Sequence, residues 1–482
     1  LRFDLGNRSG QFFKTQTHNI FHDDIQFRSL PTVTDTTFEI AIGRNVRPNT
    51  VDLLFTSQTI KIFFSDNVTN GDWMPNSSET FEYTFDDTPT PPVDLIEINK
   101  EDTTLLRVMN WNILDDGLTN ISKQQYFTRI LQAIDPDVIC FSECVNSTAS
   151  QVKDKLNEIL PLASPPGWYA MKMTFDEVVA SRYPILQGWT YDPDERSFAS
   201  LIDLPEYFGT DILTINAHLK CCGGQANDDQ RQREVDAIIS FILDAKTAGG
   251  SVDLPVNTPF LIMGDLNLVG DREQLTTLVT GQIINTQTFG SGGPPDWDNT
   301  DLEDLISQQT DKRTAYTWRD DFSFYPPGRL DFQIYSNSVM TVQKAFTLQT
   351  EIMSPARLSQ YNLQQTDTRL ASDHFPKVTD YSFNVTSIEK EDFQPFEFKL
   401  EQNYPNPFNP TTNIKFTIPS RGMVKISVYN ILGKLIEVLV NRELNAGSNS
   451  TEFDGTDLPS GIYFYELITD NLFETRKMIL LK

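Results

Sequence analysis

The sequence predicts a central α/β domain held between two β-rich domains. Three observations lead there. Over residues 104–384, short apolar runs that read as strands alternate with stretches of helical spacing, the pattern of sheets covered by helices. On either side of that region apolar and polar residues alternate with period two, and Gly, Pro, Asn and Asp separate the runs. A chain of 482 residues also exceeds one ordinary core, so two or three domains are expected. Segments 86–101 (DDTPTPPVDLIEINKE) and 387–398 have linker composition, which sets the domains at 1–95, 104–384 and 399–482.

Composition narrows the classes. A hydrophobic content of 39% with 33 Phe excludes wholesale disorder, and no run of 18 apolar residues could span a membrane as a helix. A net charge of −27 argues against a protein that coats nucleic acid through bulk charge, because counterion release needs clustered Lys and Arg. A local groove that relies on a metal stays compatible with it. The opening residues, LRFDLGNRSGQFF, lack the basic start and apolar stretch of a secretory signal and begin inside strand-like sequence. A signal and the start of a domain are therefore expected upstream. Four cysteines are too few for a disulfide scaffold. Cys140 reads as a small buried hydrophobe; Cys144 and the adjacent Cys221 and Cys222 follow two strand-like runs, and if those strands are neighbours and the compartment is oxidising, a bridge from Cys144 to one of that pair is open to the chain.

In the first domain, alternation over 37–42 (TFEIAI), 59–64 (TIKIFF) and 80–85 (TFEYTF) predicts an antiparallel sandwich. No residues there have metal-ligand spacing. A structural spacer is the plain reading, and Trp73 leaves room for a carbohydrate- or surface-binding module.

The central domain opens with a strand over 105–113 (LLRVMNWNI) that delivers Asn112, with Asp115 and Asp116 in the following turn. Residues 124–134 place Tyr126, Phe127, Ile130, Leu131 and Ile134 on one helical face, and Asp135-Pro136 stops the helix. The next strand, 137–144 (DVICFSEC), ends on Glu143, a carboxylate costly to bury unless something positive meets it. A surface helix over 151–160 follows, then a strand over 178–184 that turns at Ser181 and Arg182. Residues 211–219 (DILTINAHL) present His218 near a strand's carboxyl end, and a helix over 228–243 carries Arg231 and Arg233. At the centre stands 259–270, PFLIMGDLNLVG. Its apolar start reads as a strand buried on both faces, Gly264 lets the backbone turn, and Asp265 and Asn267, two apart on extended chain, would point the same way. Alone, such a string is better explained by an Asx turn closing a strand; its companions elsewhere in the chain reverse that preference. The Gly-, Pro- and Asp-rich loop 291–304 is expected to form a mobile rim. A strand within 326–336 then sets Asp331 just after Arg329, and Asp373 and His374 adjoin in a last turn.

Asn112, Glu143, His218, Asp265 with Asn267, Asp331, and Asp373 with His374 thus each sit at or just beyond the end of a strand. Independent turns would scatter such residues over both ends. Carboxylate and amide oxygens suit a hard cation such as Mg²⁺ or Ca²⁺, and no Cys/His spacing proposes zinc.

In order, MNWNI, CFSEC, SRYPI, NAHLK, GDLNL, GRLDF and SDHFP resemble the successive motifs of the endonuclease/exonuclease/phosphatase superfamily. The resemblance implies a four-layer sandwich of two mixed β-sheets with outer helices. It further implies that Glu143 is the principal metal ligand, with Asn112 and Asp373 close to the metal. Asp265 and Asn267 would orient the attacking water and bind phosphoryl oxygens, His218 would donate to the developing charge, and Asp331 would hold His374. Either His374 or Asp265 would take the proton from water. Arg182, Arg231 and Arg329 are the candidate substrate contacts. Ser142 departs from the glutamine often found before the metal-binding glutamate in that superfamily, and Asp115 or Asp116 could add a ligand.

Residues 400–416 (LEQNYPNPFNPTTNIKF), 424–433 (VKISVYNILG), 458–467 (LPSGIYFYEL) and the terminal KMILLK resemble the type A C-terminal sorting domain of type IX secretion. Read by periodicity alone, this region is a small β-sandwich without chemistry. Together the two resemblances imply a secreted or cell-surface phosphodiesterase dependent on Mg²⁺ (or Ca²⁺/Mn²⁺), with an extracellular nuclease favoured. A phospholipase C, sphingomyelinase-like or inositol phosphate phosphatase activity is the alternative, and an inert surface- or glycan-binding protein the second.

Overall fold

The computed structural model describes every residue except 1, 5–8, 14–16, 21–27, 31, 33–38, 49–50, 66–71, 77, 87, 89–91, 164–166, 322, 324, 385–397, 419–421, 445–446, 470–472 and 482. Most of the second expected linker therefore lies outside the described residues. Two six-stranded mixed sheets form the central domain. The first contains β1 (Leu106–Asn112), β2 (Val138–Ser142), β3 (Tyr169–Met171), β4 (Val178–Ser181), β11 (Met340–Thr347) and β12 (Lys377–Phe383), in the order β3-β4-β2-β1-β12-β11. The second contains β5 (Ile185–Thr190), β6 (Ser197–Ile202), β7 (Ile212–His218), β8 (Phe260–Asp265), β9 (Glu303–Asp304) and β10 (Asp331–Tyr335), in the order β5-β6-β7-β8-β10-β9.

Each sheet has one parallel pair at its centre, β1 with β2 and β7 with β8. A parallel pair needs a crossover, supplied by α1 (Gln124–Ile134) and α2 (Gln225–Ala245). These helices cover the outer faces. Phe127, Ile130 and Leu131 of α1 pack with Met109, Trp111 and Phe141, while Ile238, Ile239 and Ile242 of α2 pack with Leu213, Ile215 and Ile262. A third cluster, with Val108, Val138 and Cys140 from one sheet and Ile212, Leu261 and Met263 from the other, lies between the sheets. Helix, sheet, sheet, helix is the four-layer order the motifs imply.

Strand alternation decides which residues enter the space between the sheets. On β1 the inward set is Leu106, Val108, Asn110 and Asn112; on β8 it is Leu261, Met263 and Asp265; on β10 it is Tyr335, Gln333 and Asp331. The interior therefore grades from apolar to polar toward one end. At the boundary Gln333 donates to Asn110 at 3.0 Å, Tyr381 donates to Gln333 at 3.0 Å, and Asn110 reaches the Gly264 carbonyl at 3.4 Å. Gly264 has φ 139, and a Cβ there would stand 2.0 Å from the Ala217 carbonyl oxygen, so β8 tolerates only glycine beside β7.

The C-terminal domain is a β-sandwich. A three-stranded sheet holding Thr411–Ile418 and a four-stranded sheet holding Gly422–Asn430 share the core of Ile414, Phe416, Ile426, Val428, Tyr465 and Leu467. The first domain departs from its expected sandwich. Among the described residues it consists of one three-stranded and three two-stranded antiparallel pieces, around a small cluster of Phe12, Ile20 and Val46. Its alternating stretches are exposed on Phe64, Phe81 and Tyr83, too little burial to close two sheets. The loop 291–304 also differs from expectation. Trp297 stacks on Phe260 and donates to the Thr258 carbonyl, which pins the loop at the amino end of β8, opposite Asp265. No bridge joins Cys144 to Cys221 or Cys222: Cys144 is fully buried in the outer core of the first sheet and the other two are exposed.

Arg107 and Asp380 form a two-pronged ion pair between β1 and β12 at 2.6 and 2.7 Å, and Arg107 also donates to the Ile98 and Ile134 carbonyls. Both side chains are out of solvent. Asp380→Ala leaves the guanidinium buried without its counter-charge and is expected to cost about 3–5 kcal/mol, read as a lower urea midpoint at unchanged slope. A midpoint equal to that of the parent would contradict this account of the β1–β12 seam.

Candidate active site

The polar end of the space between the sheets is built on Asp265. Its carboxylate is 2% exposed. Asn112, from the other sheet, donates one amide hydrogen to Asp265 Oδ2 at 3.0 Å and the other to Glu143 Oε1 at 2.9 Å. His218 Nε2 and His374 Nε2 each lie 3.6 Å from that same Asp265 Oδ2. Each imidazole has a carboxylate behind it, Asp176 at 2.8 Å from His218 Nδ1 and Asp331 at 2.8 Å from His374 Nδ1. Thr317 fixes Asp331 by donating to Oδ2 at 2.7 Å and accepting its backbone N–H at 2.9 Å. Ser372 ties the His374 turn to β1 by donating to the Asn112 carbonyl at 2.8 Å and accepting the His374 N–H at 3.1 Å.

These contacts set the electrostatics. Burial pushes Asp265 up from the ordinary carboxylate range, against the pull of His374 and His218. Burial alone would lower His374, but Asp331 and Asp265 outweigh it and lift the imidazole to about 10. His218 is raised in the same way, its burial overcome by Asp176 and Asp265. Glu177, which accepts the His218 N–H at 2.8 Å, is driven well up by burial and then by Asp176.

Glu143 stands half-buried beyond this floor, with left-handed φ 63, and its Oε2 accepts the Asp115 N–H at 3.0 Å. Leu114, Asp115 and Asp116 are also left-handed, at φ 50, 50 and 60. Such backbone is costly for residues with a Cβ and is held here by Asp116, whose carboxylate accepts from the N–H groups of Asn146 and Ser147. Asp373 is half-buried and accepts from Trp318 Nε1 at 2.8 Å. Lys123 Nζ feels Asp373, Asp115 and Glu143 together and donates to the Ala371 carbonyl at 3.0 Å. Among the described residues no three His, Cys, Asp or Glu side chains close into a finished metal shell. The donors are nevertheless all oxygens from carboxylate and amide groups on an open rim. That set fits a hard cation that keeps several waters, as Mg²⁺ does.

Asn267 does not point alongside Asp265. Its φ of 47 breaks the extended chain, its N–H closes an Asx turn on Asp265 Oδ1 at 3.1 Å, and its amide donates to the Leu219 carbonyl. Two of the candidate arginines are committed to other partners. Arg182 lies at the amino end of β2, where it pairs with Asp135 and Asp137. Arg231 is fully buried and spends both terminal nitrogens on Asp228 and on the carbonyls of Lys220, Cys222 and Val269. Arg329 sits two residues before Asp331 but forks onto Asp304 and lies over Phe332. Ser142 is buried with its hydroxyl unpartnered among the described residues. Sequence reasoning missed Asp176, Lys123, Thr317 and Trp318. The signal for Asp176 was present, since two acids stand directly before a strand in FDEVVAS.

A buried carboxylate bracketed by two carboxylate-backed imidazoles thus stands at the joined ends of two mixed sheets, and the family that carries this region is one of phosphoester hydrolases. The family model described as Endonuclease/Exonuclease/phosphatase family matches residues 109–374, more than half of the sequence, and the chain belongs to that family. A second model, the secretion system C-terminal sorting domain, matches residues 402–481 and marks the chain for type IX export to the cell surface or beyond. No helix among the described residues is long and apolar enough to cross a membrane. Among solved structures, the endonuclease/exonuclease/phosphatase of Beutenbergia cavernae DSM 12333 is 16% identical over 78% of this chain and 100% of its own, with a TM-score of 0.36. ANGEL2, a 2',3'-cyclic phosphatase in complex with adenosine-2',3'-vanadate, is 14% identical over 59% and 98%, with a TM-score of 0.40. The AP endonuclease LMAP from Leishmania major is 13% identical over 61% and 93%, with a TM-score of 0.33. No curated protein matches the chain.

Because His374 is raised, the stabilisation it draws from Asp331 is complete below the ordinary imidazole value near 6.5 and is lost as pH rises through about 10. With four histidines in the sequence, proton NMR of the imidazole C–H signals can follow it. In Asp331→Asn the His374 signal is expected to titrate at lower pH than in the parent; an unmoved titration would show that Asp331 does not set it.

Proposed function

We propose that the protein is an exported, divalent-metal-dependent phosphodiesterase that hydrolyses nucleic acid by direct attack of water. The observation that carries this reading is the meeting of His218 and His374 on one oxygen of buried Asp265, each imidazole backed by its own carboxylate. An imidazole already protonated cannot accept the proton of the attacking water, so that proton goes to Asp265, whose raised basicity suits the task. His374 and His218 then act as donors to the phosphoryl oxygens as charge develops. Asp331 and Asp176 hold the two rings in place, and Asn267 pins the loop that follows Asp265. Glu143, with Asn112 and Asp373 beside it, would hold Mg²⁺, Ca²⁺ or Mn²⁺, which supplies the positive charge that neutralises the phosphoryl group and the departing alkoxide. Arg329 is placed near substrate only if it leaves Asp304.

Nucleic acid is favoured because NAHLK, AYTW and GRLDFQIYS together look most like secreted nucleases. A lipid phosphodiester is the second reading, and one observation favours it. Ile121 is 84% exposed on the loop between Asp116 and Lys123, and Phe175 is 60% exposed beside Asp176, so apolar side chains stand in water on two loops that carry the site.

Incubation with plasmid DNA, RNA, sphingomyelin vesicles and a chromogenic phosphodiester, with Mg²⁺, Ca²⁺ or Mn²⁺ and then with EDTA, separates the readings. Cleavage of DNA or RNA that EDTA abolishes is the expected result. Turnover of sphingomyelin alone would move the assignment to lipid, and no hydrolysis under any metal would leave an inert surface-binding protein. Glu143→Gln is expected to remove metal-dependent turnover with the circular dichroism spectrum unchanged. His374→Gln should lower kcat at least about 100-fold, the scale of a lost proton donor or acceptor; a rate within a few-fold of the parent would take His374 out of the chemistry.

A further inference from the structure

Beyond β7 the chain turns through residues 220–224, and two consecutive cysteines occupy the turn. Cys221 and Cys222 are both exposed and unbridged, and their Sγ atoms are 2.8 Å apart, in direct contact. The backbone of the turn is fixed. Cys222 is left-handed at φ 75, and buried Arg231 holds the carbonyls on either side, Lys220 O at 2.7 Å and Cys222 O at 2.8 Å. Gly223 and Gly224 follow with open space where a Cβ would stand, so a reacting molecule can approach. Cys140 and Cys144 are fully buried and their thiols are driven well up by burial, which removes them as partners. Export by the type IX route puts the exposed pair outside the reducing cytoplasm.

We propose that Cys221 and Cys222 are a thiol–disulfide exchange site that closes into a vicinal disulfide after export. One thiol loses its proton and its sulfur attacks a disulfide oxidant, of either small-molecule or protein class, releasing one thiol of that oxidant. The neighbouring sulfur then loses its proton and attacks the mixed disulfide, releasing the second. Two electrons and two protons pass to the oxidant, and one sulfur–sulfur bond forms as one breaks. Neighbouring Cα atoms are about 3.8 Å apart, below the usual separation of about 4.4–6.8 Å for bridged cysteines, so the ring is strained and readily reopened.

The test needs no activity assay. The full chain is prepared without reductant, equilibrated with oxidised glutathione, alkylated, and digested with trypsin. Cleavage after Lys220 and Arg231 yields CCGGQANDDQR, which carries both cysteines and no other. The expected peptide is two hydrogens lighter than the dithiol form, unalkylated before reduction and doubly alkylated after it. In Cys221→Ser, exchange is expected to halt at the first step and leave glutathione on Cys222. Two alkylations before reduction, glutathione retained on the parent peptide, or a bridge to a second chain would each overturn the proposal.

Discussion

A carboxylate enclosed between two sheets must be met by hydrogen-bond donors or opposite charge, and meeting that demand at Asp265 organises the central domain. An ion left unpaired in such a place costs several kcal/mol. Asn112 answers with a hydrogen bond from the facing sheet, and the imidazoles of His218, on the neighbouring strand, and His374, in the turn that precedes β12, stand within 3.6 Å. Each of these groups then needs a partner of its own, which brings in Glu143, Asp176 and Asp331. The network therefore crosses the layer twice. A one-residue slip in any contributing strand would turn its polar residue onto a helix and put an apolar one beside Asp265. Register is held one layer below by Asn110, Gln333 and Tyr381, which separate the ionisable end from the apolar interior.

Backbone strain collects at the same end. Leu114, Asp115, Asp116, Glu143 and Asn267 are left-handed residues with side chains, and each such residue costs about 1–2 kcal/mol. The bonds that offset this expense also place the carboxylates. The Leu114 N–H goes to the Asn112 amide oxygen, the Asp115 N–H to the Glu143 carboxylate and the Asp116 N–H to the Glu143 carbonyl. The turn is thus folded around Glu143, and relaxing it would release both the strain and the orientation of that side chain.

Much of this was legible in the sequence, because strands buried on both faces read as continuous apolar runs and their polar ends stand out. Asn112, His218, Asp265, Asp331 and His374 were all visible in that way, and the structure gathers them. Side-chain direction was harder to read. Asp265 and Asn267 look like parallel side chains on extended chain until the left-handed turn at Asn267 sends its amide to the Leu219 carbonyl. The arginines were misjudged for a related reason. A charged residue near a motif looks free in a sequence, whereas Arg231 is consumed by carbonyls of loops 9 to 38 residues away along the chain. Asp176 and Thr317 lie off the motif strands, and only the packing of two sheets brings them behind the histidines. In the first domain the described residues leave Phe64, Phe81 and Tyr83 exposed, and alternation alone does not reveal whether a second sheet covers an apolar face.

Charge gives the last step. The chain is strongly acidic, and a phosphodiester is an anion, so the long-range field opposes approach. The fixed cations near the cleft do little to reverse it. Arg231 and Arg329 are neutralised by Asp228 and Asp304, and Lys123 faces three carboxylates. The two histidines, both raised by their carboxylate neighbours, face Asp176, Asp265 and Asp331. On the proposed reading, the half-buried acids at the rim would repel substrate unless a cation stood between them and the phosphate. Glu143 and Asp373 are then intelligible as the groups that recruit that cation, and the acidity of the site becomes a requirement for binding an anion.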